Sequence, residues 1–231
     1  MFDRDKPKAY RIPRRIEWSY ACIRFLFGPL VRLIWIKRVE GADHIPRRGP
    51  ALLAATHESY FDFICTIAVA RRNVYYLAAE KFFRNPLWRP IMRATGQIEV
   101  DREHKEKRAH IDQIVRDLLN AGEAVGIFPE GTRAPSPHEL LRGYPGVIRY
   151  AFETGAPIVP IGIRGAFSVM SRFDKKPRFR RNIELSIGEP IRYGLSTVGP
   201  VPADERINGE LSALMKKLAI LSGKAYPYAE S

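Results

Sequence analysis

The chain has 231 residues, 45% of them hydrophobic and 27% charged, which fits one domain with a sizeable core and argues against a disordered chain. With 38 Lys and Arg against 25 Asp and Glu, the formal charge is +13, so the surface suits an anionic partner: nucleic acid, phospholipid headgroups or an anionic substrate. The two cysteines, Cys22 and Cys65, sit in apolar runs without C-x-x-C spacing, which disfavours a disulfide framework or cysteine zinc site and fits a reducing cytosolic setting.

Basic residues crowd the N-terminus: Arg4, Lys6, Lys8, Arg11, Arg14, Arg15, Arg24, Arg32, Lys37 and Arg38 face only Asp3, Asp5 and Glu17. The apolar, aromatic segment YACIRFLFGPLVRLIWI (20–36) is interrupted by Arg24 and Arg32. It therefore lacks the ~20 uncharged residues of a spanning helix, and no small-residue cleavage site marks a signal peptide. It reads as an amphipathic segment (residues 1–37) lying in a membrane interface and bent at Gly28-Pro29, ahead of a domain at 38–231. Packing as an ordinary amphipathic helix on that domain is the alternative.

Further along, WIKRVEG (35–41) reads as a strand, ALLAAT (51–56) as a short buried strand, and YFDFICTIAVARR (60–72) as a helix with few exposed positions. VYYLAA (74–79) and IEV (98–100) read as strands around a stretch, 81–96, that two prolines make short-helical or irregular. Residues 104–122 have the clearest helical period, with Ile111, Ile114, Val115, Leu118 and Leu119 on one face and Gly122 as a stop. AVGIF (124–128), PIVPIGI (157–163) and IELSIGE (183–189) are strand-like, GVIRYAFETG (146–155) is a helix closed by Gly155, and 203–222 is a helix with Ile207, Leu211, Leu214, Leu218 and Leu221 on one face. The alternation predicts an α/β fold: one layered domain with a central mixed sheet flanked by helices, after the basic amphipathic segment. Residues 171–182, six of twelve Lys or Arg, form a basic loop, either a solvated turn or a contact for a headgroup or donor.

Three short motifs carry chemistry. In HESYFD (57–62), His57 and Asp62 are five apart, about 140° around a continuous helix, so they meet only if His57 ends a strand-to-helix loop and Asp62 faces back from the first helical turn. Asp62 would then fix the tautomer and stabilise the imidazolium while the other ring nitrogen takes a proton from a hydroxyl. A histidine satisfied by a helix-capping acid fits equally. FPEGTR (128–133) follows a strand and offers a carboxylate for hydroxyls (Glu130), a guanidinium for a phosphate (Arg133), and close backbone approach at Gly131 beside Thr132. GQIEVDR (96–102) ends a strand on Asp101-Arg102, where a surface ion pair is the plain alternative.

In this order and spacing, the motifs resemble the glycerolipid acyltransferase family, of the 1-acylglycerol-3-phosphate (lysophosphatidate) type, over roughly residues 38–190. HESYFD looks like its His-x4-Asp block, GQIEVDR like its second, FPEGTR matches its third, and APIVPIGI (156–163), around Pro160, resembles its fourth. The resemblance implies that His57, oriented by Asp62, deprotonates an acceptor hydroxyl that attacks an acyl thioester. It further implies that Arg102, Glu130, Gly131, Thr132 and Arg133 hold the glycerol phosphate. The donor would be acyl-CoA or acyl-carrier protein, an already activated ester, so neither metal nor other cofactor is expected. The implied setting is peripheral, on an anionic membrane surface at the cytoplasmic face. No G-x-S-x-G elbow, phosphate-loop motif or metal-ligand cluster points to other chemistry, and no helix-turn-helix, RNP-like or zinc pattern supports nucleic-acid binding.

The chain departs from the family in two places. Relatives often carry A-K-x-E-L-F where this sequence has Ala78-Ala79-Glu80-Lys81-Phe82-Phe83, so either Lys81 or another basic residue replaces the missing lysine or the acceptor differs. Gln97 and Glu99 stand where relatives are often apolar, Glu99 fitting a solvent-facing edge strand. Glycerol 3-phosphate, a lysophospholipid, or an amino- or glycolipid remain alternative acceptors, and a non-catalytic membrane-binding module is the reading from another class. Phe61, Phe63, Phe82, Phe83 and the 20–36 segment are either core or the wall of an acyl path.

Overall fold

Residues 9–86, 88–100, 105–193 and 203–228 are described in a computed structural model. Chain order runs α1 (Arg14–Ile34), β1 (Ile36–Glu40), a 3₁₀ turn (Ala42–His44), β2 (Ala51–Ala55), α2 (Phe61–Val69) and β3 (Val74–Ala79). Next come α3 (Lys81–Arg84), α4 (Arg89–Ala94), β4 (Ile98–Val100), α5 (Lys105–Asn120), β5 (Ala124–Ile127) and α6 (Gly146–Thr154). The chain closes with β6 (Ile158–Arg164), α7 (Ala166–Met170), β7 (Ile183–Ile187) and α8 (Asp204–Ser222).

Seven strands form one sheet in the order β1-β7-β6-β2-β5-β3-β4. All pairings are parallel except β6–β7, so the sheet is mixed, as the alternation predicts. β2 lies between β5 and β6, and its Ala-Leu-Leu-Ala-Ala run is wholly buried, as a strand covered on both faces must be. Alternation along β2 divides the core. Leu52 and Ala54 face α5, α6 and α8, whereas Ala51, Leu53 and Ala55 face α2 and α7.

Residues 14–34 form a single helix with Pro29 inside it. One side packs on the domain: Tyr20 is fully buried, its hydroxyl donates to the Val74 carbonyl at 2.7 Å, and Gly28 brings the helix close to Ala68 of α2. Around the axis from Tyr20 and Val31, the side chains of Trp18, Phe25, Leu26, Leu30 and Leu33 are exposed, Phe25 by 81%. No helix among the described residues is long and apolar enough to cross a membrane.

Other differences from the expected elements are local. The helix expected to reach Arg72 ends at Val69, where Ala70 turns extended and Arg24 donates to its carbonyl. Arg72 leaves the helical path to donate to the carbonyls of Pro46, Gly49 and Gly122, tying three loops at the sheet's other end. The proline-broken stretch becomes two short helices, α3 and α4, with Pro90 in the first turn of α4, where its missing N–H leaves no bond unmade. β4 is an edge strand with Glu99 exposed, while Gln97 is buried and accepts from the Tyr76 amide. Leu221 is only partly buried and lies over Gly162, and Met215 joins the buried face of α8 instead.

Gly162 is the contact that seats α8 on the sheet. A Cβ there would come within 2.3 Å of the Leu221 carbonyl carbon and 2.5 Å of the Ser222 nitrogen, both backbone atoms. Gly162→Ala should therefore lift the end of α8 and destabilise the fold by about 1–3 kcal/mol or more, the range for overpacking. A urea-unfolding midpoint unchanged from wild type would refute this close approach.

Candidate active site

The site forms at the C-terminal ends of the central strands, where open α/β sheets leave a crevice. β2 and β5 run parallel with Ala54 beside Ile127, so the residues after each strand emerge side by side. Thr56 prolongs β2 by donating its amide to the Ile161 carbonyl, while its hydroxyl donates to the Ile163 carbonyl and accepts from the Ile163 amide, and His57 then leaves the sheet. Its amide donates to Glu130 Oε1 at 2.7 Å, and its carbonyl accepts from Ala134 N at 2.7 Å. The 57–60 and 128–134 segments are thus stitched together through the backbone.

Asp62 is the second residue of α2 and faces back toward this loop. Its Oδ2 lies 2.9 Å from His57 Nδ1 and accepts from the Glu58 and Ser59 amides, each at 2.7 Å. The geometry is the strand–loop–helix crossing that the five-residue offset requires. Because the carboxylate can only accept, Nδ1 carries the hydrogen and Nε2 keeps its lone pair. The imidazole stacks on Phe128, centroids 3.9 Å apart and planes within 10°, and Phe128 stacks on Tyr76, so the ring can rotate little. The His57 side chain is 16% exposed, whereas that of Asp62 is fully buried.

FPEGTR forms a tight turn. Gly131 has φ 66°, donates to the Phe128 carbonyl, and packs beneath Tyr144. Thr132 is exposed at its tip. Glu130 does not present its carboxylate to a hydroxyl: it is buried, and its two oxygens accept from the amides of His57 and, at 2.8 Å, Leu141. Burial pushes its carboxyl up to about 7, against the lowering effect of those amides and of Lys224. Glu130 therefore holds the backbone of His57.

Arg133 points its guanidinium at Tyr60, with the carbon 3.6 Å above the ring centroid and Nη2 donating to the hydroxyl at 2.8 Å. Burial lowers its pKa. Its Nη1 is buried without a partner among the described residues. Lys81 Nζ lies 5.8 Å from the centroid of the same Tyr60 ring, so two cations approach one aromatic side chain. Tyr60, Phe82, Trp88 and Phe63 form a chain of ring contacts that returns through Tyr76 to Phe128 beside His57, and Phe61 joins the core. Arg102, also expected at the site, lies outside the described residues.

The structure thus brings His57, Asp62, Glu130, Gly131, Thr132 and Arg133 together within one loop cluster. Sequence reasoning missed Tyr60 and Phe128 as working parts, although both lie inside quoted motifs. It also missed Lys224, 166 positions from Glu58, whose Nζ sits 2.6 Å from Glu58 Oε2 with both side chains buried. No local pattern signals that pair.

A family model described as Acyltransferase matches residues 37–164, more than half of the chain and the span that holds His57, Asp62 and residues 128–133. The chain is 28% identical over 188 residues to the 1-acyl-sn-glycerol-3-phosphate acyltransferase of Bacillus subtilis, covering 81% of this chain and 88% of that one. It is 27% identical over 156 residues to a chloroplastic 1-acyl-sn-glycerol-3-phosphate acyltransferase of Arabidopsis thaliana, covering 66% of this chain and 43% of that longer one. Its fold is similar to that of the 1-acyl-sn-glycerophosphate acyltransferase PlsC from Thermotoga maritima, with TM-score 0.67 and 19% identity, over 90% of this chain and 80% of that one.

Glu130 gives the site a pH signature in stability. Its carboxyl is raised from 4.5 to about 7 in the folded chain, so this group's contribution is fully present below pH 4.5 and is lost as pH rises through about 7. Relative to Glu130→Gln, the wild type should lose stability over that window, by up to about 3 kcal/mol. Urea midpoints of both proteins between pH 4.5 and 7.5 check this, and a constant difference would contradict it.

Proposed function

Since this chain belongs to the acyltransferase family, we propose that it transfers a fatty acyl group from a thioester donor, acyl-CoA or acyl-carrier protein, to the free hydroxyl of lysophosphatidate, forming phosphatidate. The observation that carries this reading is the 2.9 Å His57–Asp62 contact in the crevice that also holds Arg133, whose Nη1 has no partner among the described residues. The names of the Bacillus and Arabidopsis relatives supply the acceptor.

His57 Nε2 takes the proton of the acceptor hydroxyl as the oxygen attacks the thioester carbonyl. Asp62, fixed by two amides besides the imidazole, stabilises the imidazolium that results. When the tetrahedral intermediate collapses, the C–S bond breaks and the imidazolium returns its proton to the leaving thiolate. The products are an ester and a free thiol, and the histidine is neutral again. The thioester is already activated, so the chemistry as written uses no metal.

Arg133 and Lys81 receive the phosphate of the acceptor, and Arg102 joins them. A guanidinium whose Nη1 has no hydrogen-bond partner among the described residues keeps a donor for phosphate oxygens. Lys81, standing where it can replace the absent lysine, favours a phosphate-bearing acceptor over an uncharged glycolipid. Thr132, exposed at the turn, donates its hydroxyl to the same group. The acyl chain runs along the rings of Tyr60, Phe82, Trp88 and Phe63.

The protein works peripherally on the cytoplasmic face of an anionic membrane. Supporting this are the exposed apolar side chains of α1 and the neighbouring loop 171–182, with exposed Phe173 and Phe179 among its basic residues. Trp35 joins the two elements: it stacks on Phe179 and donates to the Arg178 carbonyl. Arg32, Lys37, Arg38 and Arg181 line a shallow groove beside Leu33, where headgroup phosphates would sit.

Purified protein given lysophosphatidate and a long-chain acyl-CoA should consume the thioester. His57→Ala should lower the rate by about 10²–10⁴-fold, and Arg133→Ala should mainly raise the acceptor KM. Full activity in His57→Ala would overturn the mechanism, and a panel of acceptors identifies the hydroxyl used. Separately, replacing Leu26, Leu30 and Leu33 together with Ser should release the protein from phosphatidylglycerol vesicles without unfolding it. Unchanged sedimentation with vesicles would remove α1 from the membrane contact.

A further inference from the structure

Lys224 has no place in the mechanism above, yet it is the sole buried lysine or arginine among the described residues. It follows the end of α8, where Gly223 reverses the chain at φ 64° and the Lys224 amide caps the Ala219 carbonyl. Its ammonium meets Glu58, the residue after His57, at 2.6 Å. The other Glu58 oxygen accepts from the Phe167 amide at 3.0 Å, and the Glu58 amide donates to Asp62. Glu58 therefore ties the backbone between His57 and Ser59 to both α7 and the C-terminal segment.

A second path reaches the same histidine. Ala225 exchanges backbone bonds with His138 and Leu140, and the next amide, Leu141, holds Glu130, which holds the His57 amide. Residues 224 and 225 thus brace His57 from two sides. The charges tell a similar story. Glu58, Asp62 and Glu130 are three carboxyl groups almost wholly removed from water, and unpaired burial of such groups is costly. Burial and Asp62 push the Glu58 carboxyl up, and Lys224 pulls it and that of Glu130 down. The other titratable groups around the cluster are Arg133, Cys65 and Tyr76, which interact with Asp62, and Arg172, which bonds the Arg133 carbonyl.

We propose that Lys224 is a positioning residue for the His57–Asp62 pair: its buried ammonium pairs with the Glu58 carboxylate, and that pair fixes the turn from which His57 projects. The inference rests on the general-base reading of His57. It makes the C-terminal segment part of the working site although that segment touches no reacting atom. The balance of charge is also functional. Ionised carboxyl groups crowded around a histidine that becomes cationic would overstabilise the imidazolium, and one buried cation offsets that excess.

The test uses the full chain with Lys224→Met, Glu58→Gln and the double variant, following the His57 ring by NMR titration, with His57→Ala to assign its resonances. Removing the cation should move the His57 titration to higher pH, and removing the anion should move it lower, each on the order of one pH unit. The double variant should return it to the wild-type position. In acyl transfer, each single variant should lose at least about tenfold in kcat with the acceptor KM unchanged, because Arg133 and Tyr60 are untouched. A purely structural brace would give no opposed shifts. Shifts of equal sign, no shift in either single variant, or a KM that rises as kcat falls would overturn the proposal. Should Lys224→Met fail to fold, the downward shift in Glu58→Gln and its reversal in the charge-balanced double variant decide the question. A wild type that titrates as described but transfers no acyl group to any acceptor would refute the proposed function and leave the charge coupling standing.

Discussion

Parallel pairing of β2 with β5 and β6 is the constraint that places everything else. Parallel neighbours deliver their following loops to the same edge of the sheet, so the residues after Ala55 and after Ile127 meet without any long excursion. The wholly apolar run of β2 fixes that pairing, since such a strand is stable only in the sheet interior. Once Ala54 stands beside Ile127, the His57 amide and the Glu130 carboxylate are within reach, and the bond between them locks two motifs separated by some seventy residues. The chemistry at the site begins with a backbone register.

That register creates an electrostatic difficulty. It gathers Glu58, Asp62 and Glu130 in a nearly dry space around one imidazole. Backbone amides answer most of it: two for Asp62, two for Glu130 and one for Glu58, each a donor that would otherwise need a partner at a loop or helix start. The amides also do geometric work, since a carboxylate held by two fixed N–H groups cannot rotate away from the group it orients. Asp62 and Glu130 share this design and differ in what they orient: one holds the ring of His57, the other its main chain.

The sheet, its mixed character and the crossing geometry of His57 and Asp62 were readable from the sequence because period and spacing are local quantities. A five-residue offset admits few backbone paths, and an apolar run bounded by Gly and Pro admits few secondary structures. Tyr60 lay in view within HESYFD, but a tyrosine between a serine and a phenylalanine carries no signal that Arg133 will stack on it; only the fold brings those loops together. Glu130 was recognised as a site residue, but the two amides its oxygens accept from were not, because a sequence cannot tell whether a carboxylate faces the crevice or the amides behind it. Lys224 was invisible for the same reason at greater range: one lysine among many becomes exceptional only when it is buried.

The N-terminal helix shows why segment and domain are not separable here. As a sequence, residues 20–36 look like an appended interface anchor. In the fold, Tyr20 is part of the core between α5, α6 and the sheet, Val31 reaches the opposite core, and Gly28 lets the helix settle against α2. α2 is also the helix that carries Asp62. An exposed apolar side chain of α1 is therefore mounted on the element that packs against the helix carrying Asp62. Since α1 cannot shift without disturbing that packing, attachment at the membrane would hold the site at a fixed height and tilt over the lipid surface. A tethered anchor on a flexible linker would let the site tumble; a core helix with an apolar outer face does not.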